Sequence, residues 1–190
     1  MNQQVEVIKT EVLSDNWYVL KKVTYKYTRK NGVTEVHSRE AYDRGNGATI
    51  LLYNKEKQSV ILTRQFRMPT FINCNPDGML IEACAGLLDK DDPEDCILRE
   101  VQEETGYKIS NVQKIFEVYM SPGSVTEILY FFIGKYDENM KIDNGGGIED
   151  EEIEVMEVNI EKALEMVYSG HIKDAKTIIL LQHIKLKGII

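Results

Sequence analysis

The chain is poor in the residues that build zinc sites and disulfide frameworks. Its three cysteines, Cys74, Cys84 and Cys96, are odd in number and lack CxxC spacing, and its three histidines are scattered. No zinc site is expected, and reduced thiols in the cytoplasm fit this usage. No internal repeat or low-complexity tract is present. The first residues carry no basic region followed by an apolar run, so no signal peptide is expected. The longest apolar run, 128–133, is far too short to span a bilayer. Positive charge is also in deficit: 23 Lys and Arg against 31 Asp and Glu leave a net charge of −8. That balance disfavours nonspecific binding to nucleic acid or to an anionic membrane. What remains is 190 residues with 43% hydrophobic content, enough for one good-sized core with a small appendage.

The most informative stretch runs over residues 86–106. Gly86 leads into a short helix ending in Arg99-Glu100-Val101-Gln102-Glu103-Glu104, and Gly106 stops it. Glu100, Glu103 and Glu104 stand at i, i+3 and i+4, within an arc roughly 100° wide for an α-helix. Ile97, Leu98 and Val101 fill the neighbouring arc, which can face a core. Glu100 and Glu104 are one turn apart, about 6 Å along the axis. Such crowding of acids is costly without counterions, and Mg²⁺ prefers carboxylate oxygen. Arg99 and Glu103 are i, i+4 and can pair; an exposed pair is worth only about 0.3–0.5 kcal/mol, so its value is orientation. A Glu-rich helix by itself is usually a solvated face. The two glycines, the arginine and the apolar arc at matched spacing argue otherwise. An EF-hand count from Asp89 fails, because Pro93 falls at position five and Glu94 where glycine is required.

Along the chain, residues 5–8 and 17–27 are rich in β-branched and aromatic residues and predict strands. Asn31-Gly32 signals a hairpin, with the return strand over 33–42. A boundary is expected at 44–47. Strands follow over 48–53, 60–65, 79–84, 112–119, 127–136 and 154–158, with loops over 71–77 and 121–124 and a helix over 94–104. Residues 144–147 predict a flexible loop leading to the acids of 149–152. Such an acidic run is usually solvated; beside a metal-binding helix it suggests a lid. Asn159 caps a helix carrying Ile160, Ala163, Leu164 and Val167 and ended by Gly170, and Asp174 caps a last helix to about 187. The expectation is an α+β sandwich of residues 46–190 with an N-terminal antiparallel β appendage over 1–45.

The 86–106 stretch resembles the Nudix box of enzymes that hydrolyse a nucleoside diphosphate linked to another group. Gly86, Arg99, Glu100, Val101, Glu103, Glu104 and Gly106 match it. Asp92 stands where the box has its first glutamate, the segment before Arg99 is one residue short, and Tyr107 replaces the final aliphatic. The resemblance covers nearly the whole chain. Its segments are 42–48, Arg64-Gln65-Phe66-Arg67, 81–86, Tyr119-Met120-Ser121-Pro122-Gly123, and Gly145-Gly146-Gly147 with its acids. They are similar to the sugar-nucleotide branch: the ADP-ribose pyrophosphatases and, more closely, the bacterial GDP-mannose pyrophosphatases.

The resemblance implies a Nudix-type α/β/α sandwich and Mg²⁺-dependent hydrolysis, with Mn²⁺ as the alternative cation. It implies GDP-mannose as substrate, cut to GMP and mannose 1-phosphate. It also implies that the carbonyl of Ala85, with Glu100, Glu104 and Glu151, binds the metal. Arg67 would hold phosphate, and Ala85, Gly86 and Leu87 would line the diphosphate. Glu127 and Asp150 would lie in the sugar and lid region, with Lys176 nearby. Ser38, Arg39 and Glu40 would reach the nucleotide of the other subunit of a homodimer with exchanged N-terminal strands. Trp17 would stack on the base, or else pack in the core. Glu103, Glu127 and Glu151 all remain candidates for the general base. ADP-ribose is the rival substrate. A sensor that binds without cutting is the rival function, though such proteins usually lose the box acids retained here.

Overall fold

The structure, a computed structural model, describes residues 4–148 and 151–190. The chain divides into two compact units, residues 1–46 with 119–128, and residues 47–118 with 129–190. Residues 119–128 therefore group with the N-terminal strands.

The first unit is a three-stranded antiparallel sheet of β1 (Val5–Asp15), β2 (Val19–Thr28) and β3 (Thr34–Asp43) in the order β1-β2-β3. β1 runs well beyond the expected 5–8, with irregular register between Val7 and Lys9 and between Val12 and Ser14. The Asn31-Gly32 turn joins β2 to β3, with Gly32 at φ +83°, a conformation that costs glycine little. β2 begins at Val19, so Trp17 sits in the β1–β2 bend and not in a strand. The remaining segment of this unit docks on the end of β3, where the Tyr42 N–H donates to the Ser124 carbonyl at 2.7 Å.

The second unit is an α+β fold on a seven-stranded mixed sheet. Its strands are β4 (Gly47–Asn54), β5 (Ser59–Phe66), β6 (Met79–Glu82), β7 (Cys84–Leu87), β8 (Val112–Tyr119), β9 (Ile128–Lys135) and β10 (Glu154–Asn159), and the main path is β10-β5-β4-β9-β8. β4 is parallel to β9 and antiparallel to β5 and β7. From Gly47 to Tyr53 every residue of β4 is buried, which is the pattern of a central strand covered on both faces. Ala48, Ile50 and Leu52 join the cluster that contains Cys96, Ile97 and Val101 of the box helix. The alternate residues face the other way, where β4 contacts the C-terminal helix.

Among the described residues four α-helices complete the unit: α1 (Met68–Ile72), α2 (Pro93–Glu100), α3 (Ile160–Tyr168) and α4 (Ala175–Leu186). The short α1 occupies part of what the sequence predicts as loop. Asn159 caps α3 and Asp174 caps α4 through side-chain oxygens that accept from the first-turn N–H groups, as expected. The strand predicted over 79–84 is instead two strands. β6 pairs with β5 and β7 with β4, and the break falls at Ala83. Its N–H, released from the sheet ladder, donates to Thr177 Oγ1 of α4 at 2.6 Å. Buried backbone donors need such partners, and here the need ties α4 to the strand that delivers the chain to Gly86. No helix among the described residues is long and apolar enough to cross a membrane.

Candidate active site

The box begins in a strand, with Gly86 paired to Ala48 within β7. A Cβ built at Gly86 would stand 2.1 Å from Cδ of Glu100, so only glycine lets this carboxylate lie against the strand. Asp92, which stands where the box has its first glutamate, is the N-cap of α2: its Oδ1 accepts from the Glu94 N–H at 3.0 Å, and Pro93 follows at N1. The α-helix ends at Glu100. Residues Val101–Thr105 form a π-helical turn, capped by Gly106 at φ +75°. This corrects the single α-helix expected over 94–104. With i→i+5 bonding the turn winds less per residue, so the 100° arc does not describe Glu103 and Glu104.

Arg99 spans the acids. Its Nη1 donates to Glu100 Oε1 at 2.8 Å and to Glu103 Oε2 at 3.1 Å, and Nη2 reaches Asp91 at 3.5 Å. The expected Arg99–Glu103 pair is therefore present, and Glu100 shares it. Burial raises the Glu100 pKa, and the Glu103 and Glu151 charges add to this against the pull of Arg99. Glu104 is 4% exposed, and its Oε2 is buried with no hydrogen-bond partner among the described residues. Burial chiefly, with the charges of Glu100 and Glu151, pushes its pKa to about 8, although a Cys84 thiol hydrogen bond and the charge of Arg67 oppose the shift. Cys84 is driven well above the ordinary thiol value, first by burial and then by Glu104. Cys96, held against the Leu87 carbonyl at 3.2 Å, is raised to about 11, mainly by burial.

The glycine loop predicted as flexible is docked. The Gly146 N–H donates to the Glu104 carbonyl at 2.9 Å, and the Gly147 N–H to the Glu103 carbonyl at 3.1 Å. A Cβ at Gly145 would stand 2.3 Å from the Glu104 carbonyl oxygen. The loop thus caps carbonyls that the end of the helix leaves open. The exposed Glu151 accepts from the Ile148 N–H at 3.1 Å. Asp150, expected in the lid, lies outside the described residues.

Whether these groups suit a hard cation can be judged from their chemistry. Glu100, Glu104 and Glu151 bring only oxygen donors, the Glu151 charge helps to raise the pKa of the other two, and Glu104 has a buried oxygen with nothing to bond among the described residues. That is the donor set Mg²⁺ takes. As placed, no three His, Cys, Asp or Glu side chains among the described residues stand in ligating geometry; Glu100 is turned to Arg99 and Glu151 to its own loop. The groups fit the ion in kind, and closing around it requires these two side chains to turn.

Beside the acids lies a cluster that the sequence did not reveal. Glu82, 3% exposed, accepts from Arg67 Nε at 2.6 Å and from the Lys176 ammonium. Lys176 also pairs with Asp174 at 3.0 Å. Burial works against the Glu82 carboxylate, yet Lys176 and Arg67 outweigh it and hold its pKa below the ordinary value. Arg67, expected at phosphate, keeps 40% of its side chain exposed. Lys176, expected near the sugar, is buried, with its ammonium bonded to two carboxylates of the protein. In the sequence Glu82 stood out only as a member of the 81–86 segment of the resemblance, with no role attached to it.

The first unit holds the other expected residues. Trp17 is 84% exposed, which removes the core-packing alternative within this chain, and its ring meets Tyr18 edge-on at 6.2 Å. Ser38, Arg39 and Glu40 are exposed on β3, where Ser38 Oγ bonds Thr24 Oγ1 at 2.9 Å and Arg39 donates to the Ser38 carbonyl. Glu127 faces Arg44 at 3.7 Å, and Arg44 lies over the Tyr18 ring.

Comparison with known proteins extends these observations. Residues 4–42 match the model of the GDP-mannose pyrophosphatase NudK N-terminal domain, and residues 43–180 match the NUDIX domain. A GDP-mannose pyrophosphatase from Enterobacter sp. (strain 638) is 57% identical over 189 residues, spanning 100% of this chain and 99% of the relative. One from Cronobacter sakazakii is 58% identical over the same coverage, and one from Salmonella typhimurium is 57% identical over 97% of each chain. Among solved structures, the crystal structure of an ADP compounds hydrolase superposes with a TM-score of 0.73 at 16% identity, over 99% of this chain and 98% of that one. At that identity the likeness speaks to the fold.

Proposed function

The chain belongs to the NUDIX family, and from that premise we propose that it hydrolyses the diphosphate bridge of GDP-mannose, releasing GMP and mannose 1-phosphate. The observation that carries this reading is the buried, unpartnered carboxylate oxygen of Glu104, set among Glu100, Glu151 and Arg67. The names of the full-length relatives support guanine and mannose over ADP-ribose.

Mg²⁺, or Mn²⁺ in its place, would be held by Glu100, Glu104, Glu151 and the main-chain carbonyl of Ala85. When bound, such an ion neutralises the diphosphate charge and lowers the pKa of the attacking water. The protein's own groups do the rest. Arg67 offers a planar fork suited to phosphate oxygens, and the strand Ala85-Gly86-Leu87 lies along the diphosphate. The water oxygen bonds to one phosphorus, and the bridging oxygen leaves on the other. The proton of the water passes to a carboxylate, with Glu103, Glu127 and Glu151 as the candidates. Arg99 keeps Glu100 and Glu103 in place while the metal site is open.

Trp17 would stack on the base, and Ser38, Arg39 and Glu40 would reach the nucleotide bound by a second copy. Glu127 and Asp150 would lie toward the sugar and the lid. In this reading residues 1–45 serve dimerisation and substrate binding, and residues 46–190 form the catalytic domain. The exposed Val5, Val7, Ile8, Val12 and Leu13 on β1 support burial of this sheet against the partner in a homodimer with exchanged strands. The enzyme would work in the cytoplasm.

The test is direct. Purified protein is incubated with Mg²⁺ and an equal mixture of GDP-mannose and ADP-ribose, and phosphomonoesters are released by added phosphatase. Preferential loss of GDP-mannose is expected. Preference for ADP-ribose would overturn the substrate assignment, and binding without turnover would make the protein a sensor.

A further inference from the structure

Lys176 stands where electrostatics is least favourable to it. It is the second residue of α4, and a helix N-terminus carries positive partial charge. It is also buried, at 9% exposure. A buried ammonium at that place persists only if carboxylates compensate it, and two do. Asp174 reaches it at 3.0 Å while also capping α4, accepting from the Thr177 N–H at 2.9 Å and from Thr177 Oγ1 at 2.6 Å. Glu82 takes the other side, and Glu82 in turn accepts from Arg67 Nε at 2.6 Å. The order of contacts is Asp174, Lys176, Glu82, Arg67.

The geometry of the last contact matters. Glu82 engages Arg67 through Nε, and among the described residues no side chain accepts from its Nη1 or Nη2. The guanidinium is thus gripped at one edge while its terminal nitrogens remain available. A phosphate accepts most favourably from two parallel N–H groups, so the edge left open is the useful one. The grip itself is braced from the fold: the Ala83 N–H bond to Thr177 Oγ1 pins the first turn of α4 against the residue next to Glu82.

We infer that Asp174 and Lys176 are positioning residues, which fix the Glu82 carboxylate so that it presents the Arg67 fork to a phosphate of the substrate. This rests on Arg67 binding phosphate, as proposed above. Lys176 then acts through Glu82 and Arg67.

The experiment is a double-mutant cycle on the full-length protein, measuring KM and kcat for GDP-mannose with Mg²⁺, with thermal unfolding as a control. Arg67→Met is expected to raise KM about tenfold or more with a smaller change in kcat, the mark of lost substrate binding. Lys176→Met should raise KM by a comparable factor, and Lys176→Arg should restore most of it. In the Arg67→Met background, Lys176→Met should add less than about twofold, since residues acting through one group are not additive. If Lys176→Met leaves Glu82 half-paired and the protein unfolded, the neutral pair Glu82→Gln with Lys176→Met replaces it. It is expected to fold and to show the Arg67→Met value of KM. Effects of Lys176 and Arg67 on KM that multiply independently would overturn the inference while leaving the phosphate role of Arg67 intact. An unchanged KM in Lys176→Met or in the neutral pair would also overturn it. An unchanged KM in Arg67→Met would instead remove the phosphate role, and this inference with it.

Discussion

Glu82 and Glu104 are both almost wholly buried in the same unit, yet their environments are opposite. Glu82 meets two cations, and its pKa falls below the ordinary value despite the burial. Glu104 has an oxygen with no partner and two acidic neighbours, and its pKa rises to about 8. Burial penalises both carboxylates in the same way; the difference lies in the counterions the fold supplies. Where the protein supplies its own, the acid becomes part of the framework. Where none bonds to it among the described residues, the acid stays uncompensated.

The strongest way to break this contrast is Glu104→Gln. It is expected to lower kcat by about 10³-fold or more, in line with the loss of a group acting on the charge that develops in the transition state. The metal-free protein should keep its fold and melt at the same temperature or higher, because a buried, uncompensated acid has been removed. A rate unchanged in the presence of Mg²⁺ would defeat the metal-ligand assignment. Gly86→Ala should come next. Its Cβ would collide with the Glu100 carboxyl group, and displacing a ligand by an ångström or so costs about 10²-fold. Single-turnover rates would show it, while circular dichroism stays unchanged.

Lys176→Met probes the other acid. Leaving Glu82 charged and half-paired in the interior should cost about 3–5 kcal/mol, measured by urea unfolding, and the Glu82→Gln partner change should recover part of it. The smallest effect is on pH dependence in the absence of metal. Glu104 binds a proton more tightly folded, near 8, than unfolded, near 4.5. Its contribution to stability is therefore complete at low pH and fades as pH rises from about 4.5 to about 8. Glu82 has the opposite sign: its contribution is present above about 4.5 and is lost as pH falls through its lower folded value. Melting temperatures across pH 5 to 9 should decline more gently in Glu104→Gln than in the unmodified protein.

The local features were open to reading from the residues. The caps Asn159 and Asp174, the Asn31-Gly32 turn, Pro93 at the start of α2, the stop at Gly106 and the Arg99–Glu103 pair depend on neighbours within four residues, and all are present. The features that escaped are those set by distant partners. The strand break at Ala83 exists because β5 and β4 compete for one segment, and Thr177 accepts the freed N–H. The π-helical turn at Val101–Thr105 replaces the regular helix that the residue pattern implies. The glycine loop is held by carbonyls some forty residues earlier in the chain, so glycine content alone misrepresented it as free.

The sequence by itself determined that an acid-rich helix with an apolar inner face, entered past a glycine and ended by another, stands in an α+β chain of this family. That follows from spacing, since short-range geometry repeats wherever the same residues occur. Only the tertiary structure decided which acid is neutralised and which is not. Glu82 finds Lys176 ninety-four residues away across β6 and α4, whereas Glu104 finds no cation within bonding reach among the described residues. Charge compensation in an interior depends on three-dimensional neighbours, and those are fixed by packing rather than by order along the chain.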